Sequence, residues 1–133
     1  MSDIDRAAAY RDLLRTHVEA FEDLEVLLEV NRPEYHPAGP ADLAARLRIS
    51  DAQVSAALER LMASRLLRQV HGFVVLAALD ERTRAGLDEL RRLADTDRIQ
   101  VMADMSTNAI DRLRTGALRA FARAFILKKD SDG

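Results

Sequence analysis

Asp42–Leu61 reads DLAARLRISDAQVSAALERL, and this stretch constrains the fold more than any other. Apolar residues recur at helical spacing on both sides of Arg48-Ile49-Ser50, which predicts two short helices joined by a tight turn. The first helix spans Pro40–Leu47, with Leu43, Ala44 and Leu47 on its inner face. Pro40 suits the first helical position, where a backbone N–H is not needed. The second helix spans about 51–64, with Val54, Ala57, Leu58 and Leu61 as its buried stripe. Ser50 is placed to cap it, and Asp51 lies where the helix dipole favours a negative charge. Ala44 is small enough for two steeply crossing helices to touch, and Val54 and Leu58 pin the second helix to the first.

The flanking sequence completes the outline. Residues of about 4–31 follow a helical period throughout, marked by Ala20, Phe21, Leu24, Leu27 and Leu28. NRPEYHPAGP then stops that helix, because three prolines and a glycine within ten residues cannot continue it. RLLRQVHGFVVLAAL turns to β-branched and aromatic residues around His71-Gly72, which predicts a hairpin with strands near 67–70 and 73–77. Asp80 caps a further helix to about Ala94, with Leu87, Leu90 and Leu93 inside. A last helix runs from near Asp97 to about Leu127, with Ser106-Thr107-Asn108 as the place for a break.

The expected fold is therefore mainly α with a short β-hairpin, a winged helix-turn-helix flanked by long N- and C-terminal helices. Leu43-Ala44, Leu47, Ile49, Val54, Ala57 and Leu58, followed by LERLMASRLLRQV, resemble the helix-turn-helix of bacterial transcription regulators. The whole chain is similar to the MarR-like winged-helix group. HVEAFEDLEVLLEVNRP and ALRAFARAFILKKD also resemble a family of small, poorly characterised bacterial winged-helix proteins. The resemblance implies one domain over 1–133, with a winged core at 19–79 and dimerising flanks at 3–18 and 80–127. It also implies a cytoplasmic, homodimeric, DNA-binding regulator. In this likeness Arg48 stands where glycine is usual, so either Arg48 is left-handed, at about 1 kcal/mol, or the turn is one residue longer.

Composition narrows the function classes. The 133 residues are 48% hydrophobic and 32% charged, which suits one folded domain rather than a disordered chain. Cysteine is absent, which removes disulfides, thiolate chemistry and a cysteine-based zinc site. MSDIDRAAAYRDLL lacks the apolar run of a signal peptide, and no stretch is apolar for long enough to span a bilayer, so no membrane partner is expected. Residues 1–36 carry nine acidic and four basic side chains, a net of −5, whereas residues 37–79 and 80–129 carry +2 and +3. The acids Glu19, Glu22, Asp23, Glu25 and Glu29 are expected mostly on the outer face of the first helix. His17, His36 and His71 have no metal-ligand spacing, and glycines occur singly, with no phosphate-binding loop. No enzyme, metal or cofactor is expected.

In the DNA-binding reading, Arg46, Arg48, Arg60, Arg65, Arg68 and His71 supply phosphate contacts. Gln53 has the amide for an adenine edge, and Ser50 and Ser55 offer hydroxyls for phosphate or base. Leu113, Ala117, Phe121 and Phe125 form the expected dimer face, in one helical stripe with Ile110 and Ala124 that Leu118 and Ile126 widen. The alternative is a winged-helix protein-interaction module without DNA binding. A third reading places a small-molecule effector between the flanking helices and the winged unit; the sequence does not name the ligand.

Overall fold

The first helical segment divides in two at Val18-Glu19-Ala20. In the computed structural model, which describes residues 2–131 and side chains of residues 2–126, α1 spans Asp3–His17 and α2 spans Phe21–Val30. The single helix expected over about 4–31 is thereby corrected. Val18 and Ala20 are extended, and the Asp23 carboxylate reaches back to accept from the N–H groups of Glu19 (3.0 Å) and Ala20 (3.1 Å). An acid at the third helical position thus satisfies donors that a continuous helix would have bonded internally.

The next elements follow their local signals. Helix α3 spans Pro40–Leu47 and α4 spans Asp51–Ala63. The Ser50 hydroxyl accepts from Gln53 N–H, and the Gln53 side chain accepts from Ser50 N–H, so both halves of a capping box are present. Arg48 is left-handed, with φ 56° and ψ 42°, and Ile49 N–H closes the end of α3 on the Ala44 carbonyl. Strands β1 (Leu67–Val70) and β2 (Phe73–Leu76) pair antiparallel, with Leu67 opposite Leu76 and Val70 opposite Phe73. His71 and Gly72 both have positive φ, which fits a two-residue hairpin turn twisted like its strands. The loop before α3 joins this hairpin: Val74 N–H donates to the Ala38 carbonyl at 2.8 Å. Tyr35 fastens the same place, its hydroxyl donating to the Val74 carbonyl (2.5 Å) and accepting from Ala38 N–H (3.1 Å).

Asp80 caps α5 (Glu81–Thr96) by accepting from Thr83 N–H, as expected. Helix α6 runs from Arg98 to Ser131. The break anticipated at Ser106-Thr107-Asn108 does not occur; Thr107 Oγ1 instead donates to the Ala103 carbonyl one turn back. One core joins all these helices and the hairpin: Leu14 and Val18, Leu24 and Leu27, Leu43, Val54 and Leu61, Leu66 and Val74, and Leu87 and Leu90 are all buried. Leu47 and Leu93, expected inside, are only partly buried at its margin. Helix α1 lies along α5, where a Cβ on Gly86 would stand 2.6 Å from the Ala9 carbonyl oxygen. Helix α2 packs on α4, and Val101 and Met105 seat the first turns of α6.

Candidate nucleic-acid interface

Helix α4 turns Val54, Ala57, Leu58 and Leu61 inward, as its sequence predicts, and leaves Asp51, Ala52, Gln53, Ser55 and Glu59 exposed. Arg60, its one basic residue, does not join that exposed set. Its Nε and Nη2 donate to Asp23 at 2.8–3.0 Å. Asp23 is fully buried, which corrects its expected place on an outer face. Its hydrogen bonds raise the Arg60 guanidinium pKa above its ordinary value, against the opposing effect of desolvation. Arg60, expected as a DNA contact, is thus paired within the fold while its side chain stays partly exposed; a buried carboxylate without a counterion would be far costlier than an arginine without one.

Other expected contact residues are occupied to different degrees. The Ser50 hydroxyl is engaged as the cap of α4. Gln53 uses its amide oxygen on Ser50 N–H and its Nε2 on Glu22 Oε1 at 2.9 Å. Arg46 donates to the His36 carbonyl, lies 3.8 Å from Glu29 and sits over the Tyr35 ring, so it braces the loop before α3. Arg48, Ser55, Arg65, Arg68 and His71 are exposed. Arg48 lies in the turn between α3 and α4, Arg65 just past α4, Arg68 on β1 and His71 at the hairpin tip. Arg48, Arg65 and His71 have φ of 56°, 67° and 51°. At Arg65 this geometry ends α4 as Arg48 ends α3: Leu66 N–H bonds back to the Leu61 carbonyl.

Sequence reasoning missed the part played by α2. Glu22 and Asp23 hold the two nitrogen-bearing side chains of α4, and the one local signal for them is an acid three residues past Ala20.

The expected dimer residues stand clear of the core. Leu113, Phe121 and Phe125, with Ile110, Leu118 and Ile126, are 50–73% exposed, and Ala117 is exposed among them. Arg112 reaches from this part of α6 to the Glu19 carbonyl at 3.3 Å. An open cleft of about 690 Å³ separates α2 and α3 from α5 and the start of α6, lined by Leu28, Arg32, Arg46, Leu47, Arg91 and Asp95 among others. Among the described residues no group of three or more metal-ligating side chains converges, and no helix is long and apolar enough to cross a membrane.

Comparison with known protein families, curated proteins and solved structures finds no match for this chain.

Proposed function

We propose that this chain is a DNA-binding transcription regulator, a MarR-like winged helix-turn-helix acting as a homodimer with α4 in the major groove. The order α2, α3, turn, α4 and hairpin supports the winged-helix part of that reading. The observation that carries the DNA part is the backbone at Arg48, Arg65 and His71. Each adopts a left-handed conformation that costs an L-residue about 1 kcal/mol and that glycine takes freely. All three are exposed and border α4 or tip the hairpin. Exposed nitrogen-bearing side chains at strained positions fit a contact surface. Arg68 adds a further donor on β1, and pairing two subunits doubles the set. Ser55 and Gln53 offer neutral hydrogen-bonding groups on α4 for base edges. The exposed face of α6 around Leu113, Ala117, Phe121 and Phe125 joins the subunits.

Binding to mixed genomic duplex fragments, followed by fluorescence anisotropy over a range of salt, tests the reading. The native chain should bind at low salt and release as salt rises. Arg65→Ala/Arg68→Ala should weaken binding and flatten the dependence of log affinity on log salt by about 1 for each phosphate no longer neutralised. No binding at low salt overturns the reading.

One observation favours a second reading, a winged-helix protein-interaction module. With Arg60 paired to Asp23 and only partly exposed, the fully exposed charges of α4 are Asp51 and Glu59. A protein partner on that face would protect the amides of α4 or the hairpin from hydrogen exchange.

A further inference from the structure

Gln53 and Arg60 lie two turns apart on one side of α4, and they are the two side chains of that helix with nitrogen donors. Adjacent carboxylates at the start of α2 hold both: Glu22 accepts from Gln53 Nε2 and Asp23 accepts from Arg60. The two contacts differ in kind. Asp23 is buried and also accepts from two backbone N–H groups, so its hold on Arg60 is part of the fold. The Glu22 contact lies at the surface and consists of one hydrogen bond from a neutral amide. The other end of that amide accepts from Ser50 N–H, so Gln53 is engaged at both ends. The oxygen belongs to the cap of α4, so Nε2 is the end of Gln53 that can donate to a base acceptor, and Glu22 holds that end.

We propose that Glu22 is a latch that masks Gln53, so that α4 makes its full contact with DNA only when Glu22 releases the amide. The inference rests on the DNA-binding reading above and concerns how that same site is regulated. While the latch is closed, Glu22 takes a donor from Gln53 and sets a negative charge beside the helix, which repels any phosphate that comes within about 10 Å.

Four variants of the full chain, with the native protein, test this by anisotropy on mixed genomic duplex fragments at low and moderate salt. They are Glu22→Ala, Gln53→Ala, the double variant and Asp88→Ala. Asp88 is an exposed carboxylate on α5, and its removal reads the gain from net charge alone. Unfolding midpoints of all variants verify that they fold. Glu22→Ala should tighten binding about fivefold, a difference of about 1 kcal/mol. Gln53→Ala added to it should abolish that gain, whereas the smaller gain from Asp88→Ala is the charge background. An unchanged affinity in Glu22→Ala, or an equal gain with Gln53 removed, overturns the latch and leaves DNA binding standing. No binding by the native chain at low salt overturns the DNA reading itself, and the latch with it.

Discussion

Arg48 and Arg65 end α3 and α4 in the conformation where helices most often place glycine, each followed by a backbone N–H that bonds five residues back. Arg48→Gly and Arg65→Gly should therefore each stabilise the fold by up to about 1 kcal/mol while weakening DNA binding. Denaturant midpoints and anisotropy on the same samples check the two effects; a variant that loses stability as well would contradict the strain argument. His17 carries a different cost. Burial at the end of α1 pulls its pKa below the ordinary 6.5, and its Nδ1 is buried without a partner among the described residues. The unfolded chain binds that proton more readily than the folded one, so this contribution to stability is fully present above 6.5 and is lost as pH falls from there through the lower pKa of the folded chain. His17→Gln should flatten this part of the stability–pH profile, measured by unfolding at a series of pH values.

At the scale of elements, helices α1 and α5 approach closely through Gly86. Gly86→Ala raises helix propensity by about 1 kcal/mol, but its Cβ meets the Ala9 carbonyl and drives the two helices apart. The net effect should be a loss of about 1–3 kcal/mol, read as a lower denaturant midpoint. Elements written in local signals were legible in the sequence: α3 and α4 with their Ser50 cap, the His71-Gly72 hairpin, and α5 with Asp80. The junction between α1 and α2 was not, because Ala20 has no capping group of its own and the acid that replaces it is in the following turn. Thr107 hid in the same way, its hydroxyl bonding one turn back instead of ending α6. The candidate site was legible in part. Exposure of Arg48, Arg65, Arg68 and His71 follows from turn and strand positions, whereas the withdrawal of Arg60 depends on Asp23, 37 residues away in the chain.

At the scale of the whole molecule, α6 is the longest element: its 34 residues make a rod of about 50 Å. Beyond Ala109 it exposes a row of large apolar side chains, more than a soluble surface usually leaves open. Leu113→Asp/Phe121→Asp should convert the proposed dimer to monomer by sedimentation equilibrium and reduce DNA affinity, while the unfolding transition of the core persists. A native chain that sediments as a monomer would contradict the dimer. The hairpin is placed differently. Tyr35 and Ala38 hold Val74 by both its N–H and its carbonyl, and Val74 is in turn fixed in the core. The conformational entropy of ordering this hairpin is therefore spent when the chain folds, not when a partner arrives. Whatever docks on it meets a preformed shape, and substitutions at its tip will be felt mainly in how fast the complex comes apart.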